Sequence, residues 1–505
     1  RIRRGHRFHC KEDVTIESPE NYKETMRKAF VIVDQDERRD MIRKGLLAKA
    51  EELGGNVWHN ADLLEEINYL VEYPTPLYGR IDEEFLKLPV PAVVTPMRDH
   101  QRYYPVRNED GSLMPYFLTV RNGGTKAIHN VQIGNERVLR ARLDDAKFFF
   151  ENDRKKSLEG HREDLTRINY QEGMGTMLDK ADRLQKLSDF ICDGWNLSAD
   201  EKADAERAAY LSKSDLATGM VTEFTELQGE MGKEYALLDG EKKNVAQAIF
   251  EQYMPRFAGD ILPQESIGRV LSMADKLDNL AATFLRGLIP TGSQDPFALR
   301  RQTIGAVNIL TDGGIHWDIR EGIRKALELL PGEKEAKETA LGQIEEFFRQ
   351  RIKAIMLDEG IAYDIIDAVL AGPVDDIEAL FLKARAMAES QLKDETDLRQ
   401  AVTRLANITK DKEGGAVDPS LFEVEYEKNL QAALDEVKAE VLPLYKEYQY
   451  GKALASLKKL TAPINDYLDN VMVMVDDEKV KANRVSQLIS ALDLFRAWGD
   501  FSKLV

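Results

Sequence analysis

RVLRARLDDAKFFFENDRKK, residues 137–156, is where the character of this chain changes. Its apolar residues Val138, Leu139, Leu143, Ala146 and Phe149 recur at helical rather than alternating spacing. From Glu136 onward that periodicity continues, with only short breaks. The stretch therefore closes a mixed region and opens a long helical one. The expected fold class is a mostly α, multidomain protein with an N-terminal mixed α+β domain.

Upstream, AFVIV (29–33), PAVVT (91–95) and MPYFLTV (114–120) read as strands, and ERRDMIRKGLLAKAEEL (37–53) reads as a helix. Asp110-Gly111 and Gly123-Gly124 are turn signals. Downstream, the helical pattern breaks at 253–263, 289–297, 330–336 and 371–376. The AGPVDD break (371–376) predicts that few contacts cross a boundary near residue 386. The last segment, EKVKANRVSQLISALDLFRAW (478–498), carries Val485, Leu488, Ile489, Leu492 and Phe495 on one stripe. Asp476 and Asp477 precede it as N-cap candidates.

A chain of 505 residues has room for about three or four domains at roughly 150 residues each. An apolar share of 43% suffices for packed cores, and 31% charged residues suit a soluble, helix-rich protein. No apolar run reaches the roughly 18 residues that span a bilayer. The basic start, RIRRGHRFHC, lacks both a signal-peptide core and an initiator methionine, so preceding residues are expected to be missing. Two cysteines, Cys10 and Cys192, make no disulfide framework and fit a reducing cytoplasm. A net charge of −18 argues against sequence-independent nucleic-acid binding by the whole surface, but not against RNA contact by one face.

Several catalytic motifs nearly match and fail for a physical reason. GEMGKEY (229–235) lacks the first glycine and the metal-binding hydroxyl of a phosphate loop. GMGTML (173–178) has two of three dinucleotide glycines and no preceding strand. LSKSD (211–215) looks like the lysine loop of one synthetase class without the rest of that machinery. Neither HExxH nor paired CxxC is present.

Two polar stretches keep two readings each. MRDHQRYYPV (97–106) is a solvated strand end with packed tyrosines and snorkelling arginines, or a contact for RNA or a small ligand with Tyr103 and Tyr104 available for stacking. In RVLRARLDDAKFF, Arg137, Arg140, Arg142 and Lys147 could meet phosphates, or Asp144 and Asp145 could neutralise them along the helix.

The ordered set of segments carries further. GHRFH (5–9), MRDHQRYYPV, GNERVLRARLDDAKFFF (134–150), LSKSDLATGMVTEFTELQGEMGKEYA (211–236), ADKLDNL (274–280), PTGSQDPFALRR (290–301) and VMVMVDDEKVKANRVSQL (471–488) span nearly the whole chain. Together they resemble the β subunit of bacterial-type glycyl-tRNA synthetase, the form built from separate α and β chains, without its extreme N-terminal part. The resemblance implies four segments. Residues 1–152 form a mixed α+β domain like the editing-type domain of the phenylalanyl-tRNA synthetase β chain. Residues 153–315 form a helical HD-like domain, 316–385 a helical connector, and 386–505 a helical anticodon-binding domain of the arginyl-tRNA synthetase type.

It also implies a division of labour. The α subunit activates glycine with ATP and Mg, and this chain binds no cofactor of its own. The chain binds and positions tRNA(Gly), is inactive alone, and works in the cytoplasm as part of an α2β2 assembly without a membrane partner. The residues expected to touch tRNA are Arg98, His100, Gln101, Arg102, Arg137, Arg140, Lys479, Lys481, Arg484 and Arg496, with no catalytic or metal residue. No water-activating pair is evident near MRDHQRYYPV, and glycine, the smallest amino acid, can be selected by exclusion, so no editing activity is assigned.

The HD-like region departs from its catalytic relatives, which need histidines and aspartates together to hold a metal. No histidine lies between His161 and His316, the His-Asp position reads Ser214-Asp215, and Gln252 stands where relatives could carry a histidine. Asp215 and Asp275 remain. The alternative to a tRNA-binding subunit is a stand-alone RNA-binding or HD-type phosphohydrolase protein, and the missing imidazoles count against it.

Overall fold

Helix Gln35–Glu52 starts where Asp34 supplies an acceptor: its Oδ1 takes the amides of Asp36 and Glu37 at 3.0 and 3.3 Å. Ile42, Leu46 and Ala50 then fall on one buried face. Helix Ala61–Leu70 repeats the device, with Asn60 Oδ1 accepting from the Leu63 amide at 3.0 Å and Leu63, Leu64 and Ile67 buried. Both helices cover a three-stranded antiparallel sheet and share a core with its Tyr104, Val106 and Leu118.

In that sheet the central strand β5 (Leu113–Asn122) lies between β3 (Pro74–Arg80) and β4 (Tyr104–Arg107). β3 pairs along its length, from Pro74 opposite Asn122 to Arg80 opposite Tyr116. The β4–β5 connection turns at Gly111, whose φ of 84° suits glycine. A separate hairpin pairs β1 (Ile2–Arg4) with β2 (Asp13–Thr15).

The structure, a computed structural model, describes residues 1–390 and 396–504. Residues 391–395, within the segment expected to form the last domain, lie outside the described residues. The chain divides into two compact units. The first comprises Arg1–Ile168, Thr176–Leu178 and Leu211–Phe250; the second comprises Asn169–Gly175, Asp179–Tyr210 and Glu251–Val505. Helix dominates both, and the mostly α, multidomain expectation holds.

Two expected strands are absent. PAVVT belongs to helix Val90–Thr95, because Pro91 sits in its first turn, where a missing amide costs nothing. An apolar run of that length is equally compatible with a buried helix. Residues 29–33 take no strand pairing; Phe30, with φ 61°, turns the chain out of the extended region. Helix Ile128–Asp153 begins well before Glu136. It buries Leu139, Leu143 and Ala146, but Val138 is exposed, one place off the true stripe.

The second unit is organised around helix Ser266–Leu285, which packs against Leu299–Gly313, Ile319–Glu328 and Lys334–Asp358. It is buried along almost its whole length, its polar residues Ser272, Asp275, Lys276 and Asp278 included. In the C-terminal part, helix Glu478–Arg496 packs on Thr396–Thr409 and Glu425–Lys446. Its start is set by Asp477, which accepts from the Lys479 and Val480 amides at 2.9 and 3.2 Å. Val485, Leu488, Leu492 and Phe495 are buried, as their spacing predicts.

The expected gap in packing near residue 386 is not there. Helix Ile377–Glu389 runs through that position and packs on helix Tyr450–Leu457. His316 stacks on Tyr448 with ring centroids 3.3 Å apart, and the Asp500 amide donates to the Ala368 carbonyl at 2.9 Å. Gly499, at φ 142°, lies so close that a Cβ would sit 2.2 Å from the same Ala368 carbonyl oxygen. AGPVDD is a turn between packed helices, with Asp376 capping the second through the Ala379 amide at 2.9 Å. No helix among the described residues is long and apolar enough to cross a membrane.

Candidate nucleic-acid interface

Segment 97–106 begins as a wide helical turn, Pro96–His100, and leaves it through Arg102 at φ 58°. Tyr103 and Tyr104 then enter the sheet with side chains on opposite faces. Tyr103, 6% exposed, stacks on Phe117 at 4.6 Å; Tyr104, 4% exposed, joins the helix-covered core. Neither is available to stack on a base, which corrects the sequence expectation.

The basic side chains of this segment already have acidic partners. Arg98 forks Asp99 with Nε to Oδ1 at 2.6 Å, Arg102 Nε donates to Glu66 at 2.8 Å, and His100 Nε2 lies 3.4 Å from Glu226. Gln101 is half-buried. Exposed pairs of this kind are worth about 0–1 kcal/mol, so a phosphate could displace them at little cost. The segment carries paired rather than surplus positive charge.

Arg137 and Arg140 meet a partner that the sequence reading missed. Helix Ile128–Asp153 runs beside the end of β3, and the Arg80 amide donates to Glu136 Oε1 at 2.9 Å. Arg80, Arg137 and Arg140 thereby line one cleft of about 310 Å³. Two carboxylates oppose these three guanidiniums there: Glu136, and Asp82, which pairs with Arg140. Arg137 is exposed. The only trace of Arg80 in the sequence is its place after Gly79, whose own position tolerates no Cβ against Phe117.

At the C-terminal helix the expected residues divide. Lys479 is exposed, Lys481 pairs with Glu478 at 3.2 Å, and Arg496 pairs with Asp493 at 2.9 Å. Arg484 is different. It is 4% exposed, with Nε donating to Glu427 at 2.9 Å, Nη2 to Glu423 at 2.9 Å and Nη1 to the Met472 carbonyl at 3.0 Å. Burial alone would raise the Glu427 pKa, but the Arg484 hydrogen bond and two backbone amides hold it below the usual glutamate value. Arg484 is a brace between core helices and offers RNA no face, so its expected role is corrected.

In the region expected to be HD-like, the aspartates make polar contacts. Asp215 Oδ2 accepts from the Gly229 amide at 2.6 Å, at the start of helix Glu230–Leu238. Burial pushes its pKa up. In the second unit, Lys180 Nζ lies 3.1 Å from Asp275 and 2.8 Å from Asp278, and Arg183 Nε donates to Asp278 at 2.7 Å. Burial opposes charge on Lys180, yet Asp275 and Asp278 outweigh it and its pKa rises. Among the described residues no group of three His, Cys, Asp or Glu side chains gathers where it could hold a metal ion.

The family model for the glycyl-tRNA synthetase beta subunit matches residues 1–371. The chain belongs to that family. A second model, the DALR anticodon binding domain, matches residues 398–496, the helices that carry Lys479, Lys481 and Arg496. The glycine–tRNA ligase beta subunit of Clostridioides difficile is 45% identical over 505 residues, covering 100% of this chain and 73% of that protein. Those of Desulforamulus reducens and Bacillus subtilis are 42% and 40% identical, again over 73% of their lengths. Against this glycyl-tRNA synthetase beta-subunit background, the arginine cleft and the C-terminal helix are the natural places to look for tRNA.

Proposed function

We propose that this chain binds and positions tRNA(Gly) so that a partner α subunit can charge it with glycine in an ATP-dependent ligase reaction. The observation that carries this reading is that a beta-subunit family match over 1–371 is followed, in one chain, by an anticodon-binding module over 398–496. The Arg80–Arg137–Arg140 cleft would track phosphates, which fix register without reading sequence. Lys479, Lys481 and Arg496 would stand beside the anticodon bases, where stacking and base-edge hydrogen bonds discriminate. Arg98, His100, Gln101 and Arg102 would form a second, weaker contact once the pairs of Arg98, His100 and Arg102 with their carboxylates exchange.

ATP and Mg belong in this proposal to the α partner, in an α2β2 assembly working in the cytoplasm. The four-segment division, with an HD-like scaffold over 153–315 and a connector over 316–385, is part of the same proposal. An HD-type phosphohydrolase is the poorer reading because Lys180 and Arg183 together neutralise Asp275 and Asp278, and Asp215 already accepts from the Gly229 amide.

The test is reconstitution. The purified chain should neither exchange pyrophosphate with ATP in response to glycine nor charge tRNA. The full-length protein mixed with its α partner should charge tRNA(Gly). Glycine-dependent exchange by this chain alone would overturn the proposed division of labour.

A further inference from the structure

A second cleft, of about 210 Å³, opens in the first unit between helix Gln35–Glu52 and the segment leading into helix Ala61–Leu70. Leu46, Val57 and Leu64 give it apolar walls, and Trp58 and Tyr104 also line it. Two features are unusual for a mere packing defect. Trp58 is 60% exposed although it is the largest side chain nearby, and the Arg107 guanidinium lies 4.2 Å from its ring centroid. The indole thus both carries a cation on its ring and lines an open cavity. Second, the Tyr104 hydroxyl is buried with no hydrogen-bond partner. Buried hydroxyls are nearly always satisfied, and burial pushes this one's pKa up, so it remains a donor seeking an acceptor.

The chemistry of the lining narrows the ligand. No carboxylate lines the cleft, so the ammonium of a free amino acid would find no counter-charge. Its one strong cation, Arg43, is exposed and already paired with Asp40 at 2.6 Å. The volume admits one flat ring system and little more. An apolar slot with an exposed indole and one unsatisfied donor suits a planar heteroaromatic group carrying ring nitrogens or carbonyls.

We propose that this cleft receives a single unstacked nucleobase of the bound RNA, with Trp58 stacking on it and the Tyr104 hydroxyl donating to its edge. The inference rests on the tRNA-binding reading above and names a contact which that reading does not require. It is separate from the arginine cleft, which would touch phosphates only.

The experiment uses the full-length chain with its α partner and measures tRNA(Gly) affinity at two salt concentrations for Trp58→Ala, Trp58→Phe and Tyr104→Phe. Stacking is worth about 1–3 kcal/mol per base, so Trp58→Ala should weaken binding by about five- to 150-fold. Its salt slope should match wild type, since every phosphate interaction is kept. Trp58→Phe should restore most of the affinity, and Tyr104→Phe should bind a few-fold more weakly while melting at or above the wild-type temperature. With tRNA carrying 4-thiouridine, irradiation should attach RNA to the peptide containing Trp58. Wild-type affinity in Trp58→Ala, a flattened salt slope, or adducts formed only elsewhere would each overturn the inference and leave tRNA binding intact. Failure of the wild-type ligase to retain tRNA(Gly) would overturn the functional reading and this inference together.

Discussion

Arg484 and Glu427 meet inside the C-terminal bundle, Nε to Oε1 at 2.9 Å, with the glutamate side chain wholly shielded from solvent. Removing one partner of such a pair strands a buried charge, which costs about 3–5 kcal/mol. Arg484→Met should therefore lower the urea midpoint sharply. Because Glu427 is held below its ordinary value of 4.5, its contribution is present above that pH and lost as pH falls through the depressed value. Glu427→Gln should accordingly flatten the acid side of the stability profile. A wild-type midpoint in Arg484→Met, together with weakened tRNA binding, would return this residue to the RNA surface.

Asp215 separates scaffold from enzyme by the contrast of two substitutions. Its pKa is raised above 3.8, so the folded state keeps a proton that the unfolded chain releases, and stability declines as pH rises above that value. Asp215→Asn retains an acceptor for the Gly229 amide and should be neutral or stabilising at pH 7. Asp215→Ala orphans that amide and should cost about 1–3 kcal/mol. Calorimetric melts would show the difference; equal damage from both would point to a role that needs the carboxylate.

Charge reversal at Arg80 or Arg137 should weaken tRNA binding without altering preference among anticodons. For every phosphate that a variant no longer neutralises, the log–log salt dependence should flatten by roughly 0.7–0.9. Filter binding at several salt concentrations measures this. An unchanged slope in both variants would remove the cleft from the interface.

Lys479→Glu, Lys481→Glu and Arg496→Glu together should reduce affinity for tRNA with the glycine anticodon and narrow its advantage over a tRNA whose anticodon is replaced. All three side chains lie at the surface or its margin, so melting should shift little, within about 0.5 kcal/mol of wild type. Retained discrimination would mean that the module's match to anticodon-binding domains reflects fold alone.

Local signals carried far where one physical cause dominates. The Asp477 cap and the Val485–Phe495 stripe were readable because capping and helical periodicity are both local. The central strand was readable over 114–120 for the same reason. PAVVT reads as a strand because a buried run has no period, and Arg484 reads as a surface residue because nothing in EKVKANR distinguishes a core guanidinium from a surface one. Its partners, Glu423 and Glu427, lie some sixty residues upstream. Arg80 and Trp58 escaped because a cleft is made by distant segments and has no spacing of its own. The tyrosines of MRDHQRYYPV belong to the sheet, whereas its ionic residues stay at the surface, so composition alone averaged two environments.

At Gly499 the closing turn touches the Ala368 carbonyl with nothing but a hydrogen atom between them. Every coding change there that alters the residue installs a side chain where no volume exists. Variation at this one position should thus be vetoed by geometry rather than by chemistry. A Gly499→Ala protein would report it as loosened protection of the Asp500 amide from deuterium, while the arginine cleft exchanges as before.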